Sequence, residues 1–205
     1  MQMRKHRALS QSGATLIELL LGAATGLAVI VLAVRAFTQH LQHQARSQHE
    51  ARVQQELRLA GDLIARAVQR SGYWKGAALA IPGGGGSAVN PHAIALSEGA
   101  LLLSYDGPAA GSGLGGFRLE GQELKANLGP KWPRMSVANE IVFTAFEVQI
   151  DRVPPTASEC APYALTEVKF RLSARATAMP EVQREFTRTV WARNPLAQPA
   201  CAADA

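Results

Sequence analysis

The sequence predicts an α+β protein: one long N-terminal helix, membrane-spanning in its first half, packed by its second half against a small antiparallel β-sheet domain. Three observations carry this. No proline interrupts the chain between Met1 and Ile81. The stretch Ala14–Val34 is apolar except for one carboxylate, Glu18. Further on, the helical apolar period gives way to the period-two alternation of strands.

The composition sets the outer limits. The chain has 205 residues, 47% of them hydrophobic, which fits one or two packed domains and excludes wholesale disorder. Eighteen Gly and eleven Pro are too few for a collagen-like or linker-dominated chain. Two cysteines allow one bridge at most and exclude a disulfide-dense scaffold. The net charge of +5 and isoelectric point near 9.6 would suit a nucleic-acid binder, but Arg4, Lys5 and Arg7 sit together ahead of the apolar run. That placement is a targeting head, not a binding surface.

Ala14–Val34 reads ATLIELLLGAATGLAVIVLAV, long enough at helical rise to span about 30 Å, the thickness of a bilayer core. A cleaved secretory signal would have a shorter apolar core followed by a small-x-small site. Here Arg35-Ala36-Phe37-Thr38-Gln39 continues as helix, so an uncleaved anchor fits better. The basic head then stays in the cytoplasm and the bulk of the chain lies outside. An ionised Glu18 inside the span costs on the order of 2.5–3.5 kcal/mol, so it calls for a nearby cation or the headgroup region. Gly22 and Gly26 form a GxxxG step at which helix backbones can approach closely.

Beyond Phe37 the pattern becomes amphipathic, with Val53, Leu57, Ala60, Ile64 and Ala67 on one stripe that requires a sheet to cover it. Four opposite-charge pairs at i,i+4 support the helix: Arg46–Glu50, Arg52–Glu56, Arg58–Asp62 and Asp62–Arg66. The helix therefore runs from Ala14 to about Arg70, roughly 85 Å, and Ser71-Gly72 stops it. Strand candidates follow. Leu101–Tyr105 is closed by Asp106-Gly107, and Phe117–Leu119 and Glu123-Leu124 flank a turn at Glu120–Gln122. Val142, Thr144, Phe146, Val148 and Ile150 alternate onto one face, as do Val168, Phe170 and Leu172. The glycine-rich stretches 83–86 and 111–116 read as surface loops.

Ser12-Gly13-Ala14-Thr15-Leu16-Ile17-Glu18-Leu19-Leu20 resembles the class III leader of type IV prepilins and pseudopilins. The resemblance implies cleavage by prepilin peptidase between Gly13 and Ala14, N-methylation of Ala14, and an apolar segment retained on the mature protein. Glu18 becomes the fifth mature residue, pairing with the terminal ammonium of a neighbouring subunit to set axial register, as a buried charge requires. The family commonly has phenylalanine where this chain has Ala14. Arg70-Ser71-Gly72-Tyr73 and the stretch from Phe186 to Arg193-Asn194 are similar to the end of the long helix and the last strand of PilW-type minor pilins. Many relatives carry a cysteine shortly after the Gly-Tyr turn; Lys75-Gly76-Ala77 stands there instead.

The implied organisation is a leader over 1–13, a transmembrane and assembly segment over 14–37, an amphipathic helix over 38–72 and a β-rich periplasmic domain over 73–205. The implied function is initiation of pilus assembly from a priming or tip complex. Its partners would be prepilin peptidase, other minor pilins, the major pilin and the inner-membrane assembly platform. The chain would cross the inner membrane once, with its N-terminus cytoplasmic, before entering the pilus. The alternatives are a minor pseudopilin of type II secretion and a DNA-binding pilus subunit for competence. In this topology Cys160 and Cys201 lie outside the membrane. A bridge between them, similar to the C-terminal bridges of many pilins, would contribute about 4 kcal/mol on a chain-entropy argument; two free thiols are the other reading.

Other motifs carry less. Gly111, Gly113 and Gly116 satisfy G-x-G-x-x-G, but FRLEGQEL follows where a dinucleotide site needs a helix. His40, His43 and His49 share the long helix without an acid or cysteine to complete a metal site, so no metal and no cofactor is expected. Lys169, Arg171 and Arg175 share one strand face, a solvated face or a DNA-contacting patch without interleaved aromatics. No nucleophile elbow, zinc motif, P-loop or redox cysteine pair occurs, and no enzymatic activity is expected.

Overall fold

The computed structural model describes residues 15–77, 90–107, 112–127, 131–135, 140–153, 163–194 and 196–197. Gly13, Ala14, Cys160, Cys201, the glycines at 83–86 and Gly111 lie outside them. The chain divides into two compact units, Met1–Ala45 and Arg46–Ala205.

Helix α1, Leu16–Arg70, supplies all described structure of the first unit and enters the second. In the first unit every large apolar side chain from Leu16 to Phe37 is between 46% and 76% exposed. A continuous apolar surface of that extent belongs against lipid or other apolar helices, not water. It is the single described helix long and apolar enough to cross a membrane. The helix stays unbroken through Gly22 and Gly26, where an added Cβ would meet none of the described residues within 4 Å.

In the second unit α1 buries Val53, Leu57, Ala60 and Ile64 of the predicted stripe, and Val68 beside them, while Ala67 is half-buried. What covers them is a pair of antiparallel sheets. The first comprises β1 (Ile94–Ser97), β2 (Ala100–Asp106), β3 (Ser112–Glu120) and β4 (Glu123–Asn127) in that order. The second has β6 (Tyr163–Ala176) between β5 (Ile141–Val153) and β7 (Gln183–Trp191), with β8 (Leu196–Ala197) pairing the start of β6. Thr166, Val168, Phe170, Leu172, Ala174 and Ala176 form the buried face of β6. Together with Leu101, Leu103, Phe117 and Leu124 of the first sheet and the α1 stripe, the apolar residues of this face from Val168 to Ala176 make one core. Full burial of each large side chain contributes about 1.5–3 kcal/mol, which is why the amphipathic half of α1 stays on the sheets.

Two strand expectations need correction. The β5 alternation places Val142 and Thr144 with Phe146, Val148 and Ile150, but a bulge between Phe143 and Ala145 changes the parity. Ile141 and Phe143 are buried opposite Ala176 and Ala174, and past the bulge Phe146, Val148 and Ile150 stand opposite Leu172, Phe170 and Val168. Val142 is thereby turned to the outer face beside Arg175, and Thr144 is exposed. Residues 112–116, expected as loop, are strand: Gly113, Gly115 and Gly116 pair with Tyr105, Leu103 and Leu102. Neighbouring aromatics take up part of the missing side-chain space. A Cβ on Gly113 would fall 2.5 Å from the Tyr105 ring, and one on Gly116 3.3 Å from Trp132 and 2.8 Å from the Leu101 carbonyl. β3 then turns at Gly121-Gln122 into β4, so no helix follows the glycines and the dinucleotide geometry is absent.

The charges on α1 also depart from expectation. Arg46–Glu50 forms at 3.1 Å, but Arg52 reaches Glu140 at 2.6 Å and Asp62 takes Arg188 of β7 at 2.5 Å. Arg184 of β7 joins Glu50 at 2.8 Å. The helix therefore uses its charges to hold the sheet edge; exposed pairs of this kind each contribute about 0–1 kcal/mol.

Candidate functional site

Three regions of the described residues hold polar sites singled out by the sequence: the start of α1, its end, and the outer face of β6. At the start, Thr15 is the N-cap and Glu18 sits three positions into the helix. The Glu18 Oε2 accepts the Thr15 backbone N–H at 2.9 Å and the Thr15 hydroxyl at 3.3 Å. The Glu18 N–H in turn lies 3.4 Å from Thr15 Oγ1. This is a capping box, in which side chain and backbone satisfy each other's orphan donors at a helix N-terminus. Glu18 thus has a local partner within its own chain, and among the described residues only one carboxylate oxygen is used.

At the other end, α1 stops because Gly72 adopts φ 73°, the left-handed conformation that glycine enters without Cβ strain. The terminal carbonyls are then taken up by Ser71 itself, by Asn90 ahead of β1 and by Asn194 after β7. Asn194 Nδ2 donates to Ser71 O at 2.9 Å, Asn90 Nδ2 donates to Gly72 O at 2.9 Å, and Ser71 Oγ donates to Val68 O at 2.6 Å. Gly72 N–H donates to Ser104 O of β2 at 2.9 Å. The two stretches that resemble PilW-type pilins, 70–73 and 193–194, therefore meet in space. Their residues form the joint that ties the helix end to the sheet and to the last strand.

Asp106 closes this joint. It accepts Lys75 N–H at 2.8 Å and faces the buried His92 Nε2 at 2.9 Å. The Lys75 N–H, and after it the His92 ring, hold the Asp106 carboxyl below its usual value of 3.8, against an opposing push from burial. A depressed carboxylate stabilises the fold at pH above its unfolded value and loses that contribution as pH falls through the native one. Asp106→Asn is accordingly expected to lower the melting temperature near neutral pH. The difference from the wild type should shrink as pH falls below 3.8. Calorimetric melts across that range check it; a difference that stays constant with pH would show that Asp106 acts only as a neutral acceptor.

On the outer face of β6, Lys169 lies between Asp151 at 3.1 Å and Glu167 at 3.0 Å, and Arg171 between Glu147 and, at 3.7 Å, Glu185. Glu167, then Asp151, raise the Lys169 pKa, and Glu147 does the same for Arg171. Arg175 shares the face across from Val142 and Gln183. The three cations are on one face, as expected, but four carboxylates are interleaved with the first two. His40 bonds Gln44 at 2.9 Å on α1. No cluster of three or more His, Cys, Asp or Glu that could hold a metal occurs among the described residues.

Sequence reasoning missed His92, Asn90 and Asn194 as parts of the joint. No spacing rule could find them, because their partners lie far away in the chain.

Residues 46–192 match the family model of prepilin peptidase-dependent protein B. No curated protein and no solved structure matches the chain. The match covers more than half the chain and begins after the apolar segment. It is therefore independent of the leader-like residues and of Glu18.

Proposed function

The chain belongs to the prepilin peptidase-dependent protein B family, and on that premise we propose that it is a PilW-type minor pilin that helps initiate type IV pilus assembly. Prepilin peptidase cuts between Gly13 and Ala14 on the cytoplasmic side, Ala14 is N-methylated, and the exposed apolar segment anchors the chain in the inner membrane. The globular domain then lies in the periplasm, in a priming or tip complex with other minor pilins, the major pilin and the assembly platform. Its role is structural, not catalytic.

The observation that carries this reading is the Thr15–Glu18 capping box at the head of the exposed apolar stretch from Leu16 to Phe37. Only Oε2 of Glu18 is engaged with described residues. The other oxygen suits the ammonium that cleavage creates on a neighbouring subunit, so one carboxylate can cap its own helix and fix register with the next. Gly22 and Gly26 leave open backbone for that packing. Pairing of Cys160 with Cys201 is supported by the ladder Tyr163↔Ala197 and Ala164↔Leu196, which holds the two flanking segments side by side.

Intact mass after co-expression with a prepilin peptidase tests the reading. The expected product lacks residues 1–13, carries one terminal methyl on Ala14, and takes up thiol reagent only after reduction; Gly13→Ala should remain uncut. An uncut wild-type chain, or one cut after the apolar run, overturns it.

A further inference from the structure

A cleft of about 820 Å³ lies between the last turns of α1 and the inner face of the first sheet. Its helix wall carries Leu63, Arg66 and Arg70, its floor is Gly115 of β3, and Tyr105 and Arg134 border it. The cations differ in state. Arg134 is neutralised by Glu123, whereas among the described residues neither Arg66 nor Arg70 makes an ion pair, and Arg70 lies 4.2 Å over the Tyr105 ring. Two guanidinium groups four residues apart on one helix face present forked donors suited to carboxylates.

Gly115 points to a visitor. Glycine weakens a strand interior, and in such a place it marks either a bend or close approach by another chain. A Cβ here would meet nothing nearer than 3.9 Å, so nothing described in the chain itself requires the glycine. Leu63 lines the cleft and Leu59 stands one turn before it on the same helix face, the two being 44% and 51% exposed. From Leu59 to Arg70 that surface runs about 16 Å at helical rise, long for a small molecule and suited to a peptide segment.

We propose that this cleft receives an acidic, apolar-faced segment of another subunit, its carboxylates on Arg66 and Arg70, its apolar side chains on Leu59 and Leu63, and its backbone over Gly115. That the visitor is another subunit rests on the proposed pilin role; the chemistry of the cleft does not.

The test is fluorescence anisotropy of a labelled amphipathic peptide of Glu, Leu and Ala against the full chain in non-ionic detergent, with empty micelles as blank. Saturable binding is expected, weakened about tenfold by Arg66→Glu, the loss of one well-placed charge contact. Arg175→Glu, which changes net charge equally on the outer face of β6, should leave it within about twofold. Gly115→Val should abolish binding while leaving the melting curve of the chain at or above the wild-type temperature, since its Cβ has room. No saturable binding, or binding lowered equally by Arg66→Glu and Arg175→Glu, overturns the proposal. So does binding unaffected by Gly115→Val. Cleavage at Gly13 is read separately, so a processed chain that ignores the peptide refutes the cleft alone, and an unprocessed chain that binds it refutes only the pilin role.

Discussion

Glu18→Gln is expected to leave cleavage after Gly13 and membrane insertion intact while reducing incorporation into sheared pilus fractions by more than about tenfold, the effect of deleting one desolvated charge pair. The substitution separates the helix cap seen in the structure from the proposed register role. Glutamine at the third helical position still accepts the Thr15 N–H, so the capping box survives. It cannot pair with an ammonium, so only the charge is lost. Glu18→Ala removes both and should add a cap loss of about 1 kcal/mol at the helix start. Quantitative immunoblots of membrane and pilus fractions read the outcome. Equal incorporation of Glu18→Gln and wild type would leave Glu18 with its cap alone and remove the register role.

Phe170→Ala is expected to cost about 3–5 kcal/mol of stability, a transfer loss plus an unfilled cavity. Phe170 is 1% exposed at the centre of β6. Its ring stands 6.4 Å from Phe186, which in turn occupies the space that a Cβ on Gly61 of α1 would need. The substitution therefore opens the layer between helix and second sheet. Leu59→Ala, on a half-exposed position of the same helix, should change stability by no more than about 0.5 kcal/mol. Urea unfolding of the full chain in detergent, followed by far-UV circular dichroism, compares the two. A loss for Phe170→Ala as small as for Leu59→Ala would mean that α1 is not held by this layer.

The stripe Val53 to Val68 shows why much of the fold was legible. A helix must put residues three and four apart on one face, so the pattern announced both the helix and the need for a cover. Leu101–Tyr105 and the turn at Gly121-Gln122 were legible for similar local reasons. The β5 bulge was not. Nothing in VFTAF marks Thr144 as an extra residue; the slip exists because Ile141 and Phe143 find Ala176 and Ala174 on one side of it and Phe146 finds Leu172 on the other. The β3 glycines misled for a related reason, since glycine lowers strand preference by itself while Tyr105 and Trp132, distant or in another segment, supply the missing surface.

Charges divide along the same line. Arg52 and Asp62 had helix partners four residues away, yet they face Glu140 and Arg188. An exposed i,i+4 pair is worth only a few tenths of a kcal/mol, so any well-placed partner from the sheet displaces it. The sequence by itself determined the apolar anchor with its single carboxylate, the long helix with one buried stripe, the stop at Ser71-Gly72 and the β-rich remainder, because each depends on neighbours within a few residues. Only the tertiary structure decided the parity of β5, the strand made from glycines, the joint of Gly72, Asp106, His92 and Asn194, and the cleft under Arg66 and Arg70. Each of those rests on contacts between residues far apart in the chain, whose free energy outweighs the local preferences that a sequence displays.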